Sequence, residues 1–194
     1  MNKKIYLLRH GATDLQGLYV GSTDVSLSRE GREQVIKTGK VLAGEKIEKI
    51  FCSPMKRCRE TLRLLQFETS YEIDNDLREV DFGRWEKRSF KEINKNDVKL
   101  VEDWRLNEKI FCFPDGECIQ DFDRRVKVFA KKVLLSSEEK ILVVAHGGTI
   151  RFLLCVFLGL SPDSQKLFDI QAGCVSTVNL YGEIGALTSL NIKG

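Results

Sequence analysis

Histidine and proline are scarce in this chain, and its cysteines are not closely paired. The 194 residues include two histidines, three prolines and six cysteines, with no C-x-x-C or H-x-x-x-H spacing. Zinc sites need such closely spaced ligands, so we expect no metal. The cysteines lie in apolar surroundings, for example beside Phe51 and Leu154. Without paired spacing, they favour buried free thiols over a disulfide framework.

Long hydrophobic runs are absent as well. The longest apolar run, 152–160, is interrupted by Gly159 and is too short to cross a bilayer, so we expect no membrane partner. The apolar run near the N-terminus covers only 5–8, which argues against a secretory signal and predicts a cytoplasmic protein. The formal net charge is only +3, without interleaved aromatic and basic residues, so we expect no nucleic-acid partner. A small basic excess equally suits a small anionic substrate.

Apolar runs and helical patterns alternate along the chain. Runs typical of strands cover 4–8, 47–52 and 141–145. Helical periodicity covers 28–44, 55–65, 117–136 and 147–158. We therefore expect an α/β fold, a three-layer αβα sandwich with a mostly parallel central sheet and helices on both faces. The segments 175–180 and 186–192 depart from this alternation and predict two hairpin-like strands.

The two histidines occupy matching positions. Each follows an apolar strand and precedes glycine, in His10-Gly11 and in His146-Gly147-Gly148. Because the carboxyl ends of parallel strands form the ligand crevice of an open α/β sheet, we expect the two imidazoles to converge. Gly147 and Gly148 also open a helix, and the N-terminus of a helix favours an anion. Two ordinary core histidines would be unlikely to share this setting by chance, so we favour a catalytic pair.

An anion site calls for arginine, because a guanidinium group binds two phosphate oxygens at once. Arg9 adjoins His10 in the sequence. Arg57 lies in the first turn of a predicted helix that follows a strand, so it faces the same crevice, and Arg59 and Arg63 are the alternatives.

These blocks resemble the histidine phosphatase superfamily, also called the phosphoglycerate mutase-like family. The family's Arg-His-Gly after the first strand corresponds to 9–11, and its second His-Gly to 146–147. Further matching blocks are GSTDVSLSREG (21–31), FCSPMKRCRET (51–61), LREVDFGRWE (77–86) and PDGE (114–117). The resemblance implies the phosphoglycerate mutase-like fold as one domain over 1–194, with 66–116 as an irregular, partly helical excursion over the active-site edge.

The resemblance also implies a metal-independent and cofactor-free phosphomonoester hydrolase that works through a phosphohistidine. His10 would be the nucleophile, and Glu79 the proton donor and acceptor, with Asp81 as its rival. The groups expected to hold the phosphate oxygens are Arg9, Arg57 and His146. Further expected phosphate or substrate contacts are Thr13, Gln16, Tyr19 and Gly147.

Three positions depart from the family pattern. Ala12 stands where glutamate is common, Ser26 where proline is common, and Lys87 where glycine often follows Trp-Glu. None of these changes removes a predicted catalytic group.

Within the family, four blocks are most similar to the α-ribazole-5′-phosphate phosphatases of cobalamin nucleotide-loop biosynthesis. These blocks are GLYVG (17–21), FGRWE (82–86), VEDWR (101–105) and DIQAGCVSTVNL (169–180). The implied partner is therefore a small phosphorylated metabolite, with α-ribazole 5′-phosphate preferred. A broad-specificity phosphatase, a phosphoglycerate mutase and a noncatalytic phosphate-binding module are the alternatives. The chain lacks the added segment that mutases carry, which favours a phosphatase.

Two other phosphatase chemistries have weak matches in the sequence. Cys118 and Arg124 have the C-x5-R spacing of thiolate phosphatases, but Asp121 and Asp123 between them would repel phosphate. The acidic stretch 74–76 resembles an aspartyl-phosphate motif, but no long apolar strand precedes it, which is typical of a turn. We expect both segments to be structural.

Overall fold

The computed structural model describes residues 2–194 and contains one six-stranded mixed sheet with the order β3-β2-β4-β1-β5-β6. The strands are β1 (Asn2–Arg9), β2 (Lys49–Cys52), β3 (Tyr71–Ile73), β4 (Lys140–Ala145), β5 (Val175–Tyr181) and β6 (Ile184–Ile192). The first four strands are parallel, whereas β5 pairs antiparallel with β1 and β6 antiparallel with β5. The predicted C-terminal hairpin is therefore confirmed.

Helices cover both faces of this sheet. They are α1 (Arg29–Leu42), α2 (Lys56–Leu65), α3 (Phe90–Asn96), α4 (Val98–Leu106), α5 (Ile119–Leu135) and α6 (Gly147–Phe157). Short 3₁₀ segments cover Asn75–Leu77, Gly83–Trp85 and Pro162–Leu167. Ser28 caps α1, since its side chain accepts a hydrogen bond from the Gly31 N–H, as the sequence predicted.

The side chains of β1 alternate between two hydrophobic layers. Tyr6 and Leu8 lie in the layer that α1 and α2 cover, whereas Ile5 and Leu7 lie in the layer that α5 and α6 cover. A continuous apolar run in a strand is buried on both faces of the sheet, and residues 5–8 of β1 are buried in this way. The three-layer αβα fold predicted from the sequence is confirmed.

The segment 66–116 contains one strand that the pattern did not predict. β3 is only three residues long, pairs with β2 at the edge of the sheet, and leaves Tyr71 and Ile73 exposed. A strand this short and this exposed has no hydrophobic period to reveal it. The rest of the segment holds α3 and α4 and two short 3₁₀ segments.

The expectation that all the cysteines are free thiols is wrong for Cys112 and Cys118, which form a disulfide. The turn between them folds back, and the two residues face each other across an isolated antiparallel bridge. A backbone hydrogen bond of 2.9 Å from Ile119 N to Phe111 O holds this pairing. The other cysteines are free and buried, namely Cys52, Cys58, Cys155 and Cys174.

Within residues 2–194, no helix is both long enough and apolar enough to cross a membrane.

Candidate active site

The two histidines converge at the carboxyl ends of adjacent parallel strands. Arg9, the last residue of β1, is paired in register with Ala145, the last residue of β4. His10 and His146 follow these residues directly, and their ring centroids are 5.1 Å apart. Neighbouring strands that end at the same level deliver the next residues to the same place, as the sequence predicted.

His10 has a defined tautomer and is neutral. Its Nδ1 lies 2.8 Å from the carbonyl oxygen of Gly11, which only accepts hydrogen bonds, so Nδ1 carries the hydrogen. Nε2 therefore keeps its lone pair. Burial, together with the Arg57 and Arg9 guanidinium groups, holds the pKa of His10 well below its usual value of 6.5. At neutral pH the imidazole is therefore uncharged and offers an Nε2 lone pair.

Arg9 lies beside His10 and has a buried N–H donor, its Nε, that binds no group among residues 2–194. Its Nη1 donates to the carbonyl oxygen of Ile170 at 2.5 Å, which fixes the guanidinium group. Its buried Nε has no hydrogen-bond partner within residues 2–194. A buried charged donor is costly unless an acceptor satisfies it, so this N–H is suited to an anionic ligand.

Arg57 is almost completely buried and connects three parts of the site. Its Nη1 and Nη2 donate to the carbonyl oxygens of Thr23 and Gly21, each at 2.9 Å, and its Nε donates to Nδ1 of His146 at 3.2 Å. Each terminal nitrogen keeps a second N–H for a ligand. The alternatives Arg59 and Arg63 are exposed, so the structure places Arg57 at the site.

His146 lies behind His10 and has protein partners at both ring nitrogens. Because Nδ1 accepts from Arg57, Nε2 carries the hydrogen and donates to Oγ of Ser53 at 2.8 Å. Burial and the Arg57 guanidinium group hold the pKa of His146 well below 6.5. The ring therefore orients Arg57 as a neutral acceptor, and its direct contact with phosphate stays a prediction.

The carboxylate of Glu79 lies against the N-terminus of α6. Its Oε2 accepts from the Gly148 N–H at 2.8 Å, and its Oε1 from the Val80 N–H at 3.1 Å. A Cβ atom at position 148 would lie 2.4 Å from Oε1, so only glycine leaves room for this carboxylate. The rival Asp81 accepts instead from Ser22 Oγ at 2.8 Å and forms part of a loop contact.

These groups line two adjoining cavities. The first, which we call the histidine cavity, has a volume of about 670 Å³. Its walls include the predicted residues Arg9, His10, Thr13, Gln16, Arg57, Glu79 and Gly147. The second, the aromatic cavity, has a volume of about 890 Å³ and shares Arg9, Glu79 and Gly147 with the first. Its aromatic walls are Tyr19, Phe82, Trp104, Phe113, Phe122 and Phe152.

Thr13, Gln16 and Tyr19 divide between these cavities. Thr13 is buried in the wall of the histidine cavity beside Gln16, and its Oγ1 accepts from Leu15 N at 3.4 Å. Tyr19 lies in the aromatic cavity, edge-to-face with Phe82 at a centroid distance of 4.9 Å. Among residues 2–194, no group of three His, Cys, Asp or Glu side chains is arranged to bind a metal ion.

A family model described as the histidine phosphatase superfamily (branch 1) matches residues 5–193. The chain belongs to the histidine phosphatase superfamily. It is 28% identical to the adenosylcobalamin/α-ribazole phosphatase of Escherichia coli K12, over 98% of this chain and 96% of that protein. It is 26% identical to a candidate phosphoserine phosphatase of Hydrogenobacter thermophilus, over 97% of this chain and 95% of the other.

The solved structures agree with this membership. The crystal structure of the α-ribazole phosphatase from Shigella flexneri is similar with a TM-score of 0.90 and 27% identity, over 97% of this chain and 96% of that one. The mycobacterial glucosyl-3-phosphoglycerate phosphatase has a TM-score of 0.86 at 22% identity, with all of both chains covered, and shares the fold. The chain is therefore a histidine phosphatase, as the sequence predicted.

Two departures from the superfamily pattern have a structural context. Lys87 adopts a φ of 59°, in the left-handed region where glycine has no steric penalty, which explains why glycine is common there. The Ala12 N–H donates to Oε1 of Gln34 in α1 at 3.0 Å, and Ala12 O accepts from Ser28 N at 2.9 Å. Nothing in the structure explains the serine at position 26.

Sequence reasoning missed several residues of this histidine phosphatase site. Trp104, Phe82 and Phe113 reach the aromatic cavity from the irregular segment 66–116, where periodicity does not show which way a side chain points. Two of them lie in blocks that match the family, Phe82 in FGRWE and Trp104 in VEDWR, and these matches were the available signal. Ser53, the partner of His146, follows a strand in the same way as the histidines do.

Proposed function

We propose that the protein hydrolyses phosphate monoesters through a phosphohistidine at His10. The observation that carries this proposal is the state of His10 in the histidine cavity. Its Nε2 has a free lone pair, its ring is neutral, and the buried guanidinium groups of Arg9 and Arg57 belong to the same cavity. A neutral nitrogen nucleophile beside two fixed cations is what attack on a phosphate monoester requires.

In the first step, Nε2 of His10 attacks the phosphorus atom in line with the ester oxygen. The N–P bond forms while the P–O bond to the leaving group breaks. Arg9 and Arg57 donate hydrogen bonds to the nonbridging oxygens, where charge accumulates, and one such donor contributes on the order of 3 kcal/mol to the barrier. Glu79 lines both cavities and, in this proposal, is protonated when the ester binds. It gives this proton to the leaving oxygen, so the leaving group departs as an alcohol and Glu79 becomes a carboxylate.

In the second step, water takes the place of the alcohol. Glu79, now a carboxylate, removes a proton from the water, and the water oxygen attacks phosphorus. The N–P bond breaks, inorganic phosphate departs, and both His10 and Glu79 return to their starting protonation states. The cycle balances without a metal ion or a cofactor.

The proposed substrate is α-ribazole 5′-phosphate. Two relatives that match nearly the whole chain carry α-ribazole phosphatase in their names. The aromatic cavity adjoins Glu79 and offers the rings of Tyr19, Phe82 and Trp104 to the planar benzimidazole of this leaving group. A relative of similar identity is named for phosphoserine, so the substrate needs a direct test.

The chemical proposal predicts a covalent intermediate. Wild-type protein quenched during turnover of ³²P-labelled p-nitrophenyl phosphate should carry acid-labile radioactivity, and His10→Ala should carry none. Circular dichroism of the variant serves as the control for folding. Acid-labile label on folded His10→Ala would show that another residue is the nucleophile.

The substrate proposal predicts a preference order. We expect kcat/KM for α-ribazole 5′-phosphate to exceed the values for 3-phosphoglycerate, phosphoserine and glucose 6-phosphate by tenfold or more, on the order of one well-filled apolar contact. EDTA should leave each value unchanged. A higher value for any of the other three esters would reject α-ribazole 5′-phosphate, and no turnover at all would favour a noncatalytic phosphate-binding module.

A further inference from the structure

Arg125, in the second turn of α5, uses every N–H of its guanidinium group within the protein. An arginine side chain has five N–H donors. Its acceptors are Glu117 Oε1 at 2.7 Å, Glu117 Oε2 at 2.9 Å, Asp76 O at 2.8 Å, Arg78 O at 2.7 Å and Glu79 O at 3.0 Å. Three of these five acceptors are backbone carbonyl groups of the segment that ends at Glu79.

We propose that Arg125 is a positioning residue, which holds the backbone of residues 76–79 so that the Glu79 carboxyl group reaches the leaving oxygen. This inference rests on the proposed role of Glu79. We call Arg125 and Glu117 together the Arg125 clamp. Glu79 itself belongs to no helix or strand, so regular secondary structure does not fix its backbone.

The Arg125 clamp holds the chain on both sides of Glu79. On one side, Arg125 binds the carbonyl groups of Arg78 and Glu79. On the other side, Glu117 Oε2 accepts from Asp81 N at 3.3 Å, and the Glu117 N–H donates to Asp81 O at 2.9 Å. A backbone held on both sides of Glu79 fixes the point from which the Glu79 side chain enters the cavity.

α6 supplies the matching contacts on the opposite side of this segment. Thr149 Oγ1 donates to Arg78 O at 2.9 Å, and the Gly148 N–H donates to the Glu79 carboxylate at 2.8 Å. The carbonyl group of Arg78 thus accepts from α5 and from α6 at once. Two helices of the same layer therefore fix the segment, α5 through Arg125 and α6 through Gly148 and Thr149.

A structural ion pair alone does not explain this arrangement. Arg125 and Glu117 are mostly buried, and the guanidinium carbon lies 4.6 Å from the centroid of the Phe122 ring, so the pair also packs. The ion pair with Glu117 uses two of the five N–H groups. The other three donate to backbone carbonyl groups of the segment that leads to Glu79. If Arg125 were purely structural, its substitution would lower kcat/KM equally for all substrates. If it positions Glu79, the loss depends on how much the leaving group needs a proton.

The leaving group separates these two roles. Benzyl alcohol is a much weaker acid than p-nitrophenol, so benzyl phosphate needs a proton at the leaving oxygen and p-nitrophenyl phosphate scarcely does. Both leaving groups are single rings of similar size. Since kcat/KM reports the steps up to release of the alcohol, a misplaced Glu79 lowers kcat/KM for benzyl phosphate selectively.

The test compares Arg125→Gln and Arg125→Lys with wild type on these two esters. We expect Arg125→Gln to lose on the order of tenfold to a hundredfold in kcat/KM for benzyl phosphate, within the range of general acid catalysis, and several-fold less for p-nitrophenyl phosphate. Arg125→Lys keeps the charge but offers fewer donors, so we expect an intermediate selective loss. If Arg125→Gln does not fold, Arg125→Lys alone decides the outcome.

Two controls distinguish the possible failures. Lys131→Gln removes one positive charge from an exposed position of α5 and should leave the ratio of the two kcat/KM values unchanged. Glu79→Gln should show the full selective loss. If Glu79→Gln shows it and the folded Arg125 variants lose equally on both esters, the positioning role is wrong; if Glu79→Gln shows no selectivity, the proposed role of Glu79 is wrong as well.

Discussion

His10 and His146 have opposite tautomers, although both follow a strand and precede glycine. His10 carries its hydrogen on Nδ1 because a carbonyl oxygen lies opposite, whereas His146 carries its hydrogen on Nε2 because Arg57 donates to its Nδ1. The tautomer of each ring decides which nitrogen can react, and within residues 2–194 only His10 has a ring nitrogen without a protein partner. The matched sequence settings thus hold two residues with different chemical capacities.

Both imidazoles should remain neutral below the pH at which histidine ordinarily titrates. Burial and nearby guanidinium groups lower both pKa values well below 6.5. Because the chain has only two histidines, the imidazole signals in an NMR titration are easily resolved. We expect neither signal to move between pH 8 and about pH 6, whereas the signals of the urea-unfolded chain should move with a midpoint near 6.5. A folded-state midpoint near 6.5 for His10 would contradict its proposed neutral state.

The lowered pKa values of His10 and His146 also make the stability of the fold sensitive to acid. As pH falls through about 6.5, the unfolded chain binds protons at both histidines before the folded chain does. Their contribution to the free energy of unfolding is therefore complete above this pH and is lost progressively below it. Denaturant unfolding at several pH values would follow this loss.

At the scale of single elements, the start of α6 contacts the Glu79 carboxylate at Gly148, which has no side chain. The Gly148 N–H holds one carboxylate oxygen, and there is no room for a Cβ atom beside the other. The sequence identified the two glycines as the start of a helix that favours an anion. It did not show that a carboxylate of the protein itself occupies that helix end, because the two residues are far apart in the chain.

Gly148→Ala should therefore impair activity more than stability. The new methyl group displaces the flexible end of Glu79, so we expect kcat/KM for benzyl phosphate to fall on the order of a hundredfold, while the melting temperature changes little. Gly44→Ala is the matched control, since a Cβ atom there would meet nothing within 4 Å. Full activity in Gly148→Ala would mean that the carboxylate position seen here is not needed.

The elements that the sequence predicted correctly are those with strong hydrophobic patterns. β1 is apolar over 5–8 and β4 over 141–145, and α1 and α5 have buried stripes at helical spacing, so local pattern and tertiary environment agree. β3 is short and lies at an edge, and for that reason it went unrecognised. The disulfide depends on a turn geometry that cysteine spacing alone does not reveal.

At the scale of the whole molecule, the site combines a predictable half with an unpredictable one. The strand ends that carry His10 and His146, and the start of α2 that carries Arg57, follow from the fold class, because parallel strands bring their carboxyl ends to one edge. Glu79 and the aromatic cavity come from segment 66–116. There the family resemblance identified residues, but only tertiary contacts such as the Arg125 clamp show how they face the histidines.

The antiparallel hairpin of β5 and β6 turns at the end of the sheet opposite the site. Tyr181 is paired with Asn2 at the start of β1, whereas His10 follows the end of that strand. Gly182 and Glu183 are exposed in this turn, and open space surrounds Gly182. A fluorophore or surface linkage attached at residue 183 would leave both cavities clear, so the molecule can be immobilised or labelled as a phosphate-ester sensor without blocking substrate entry.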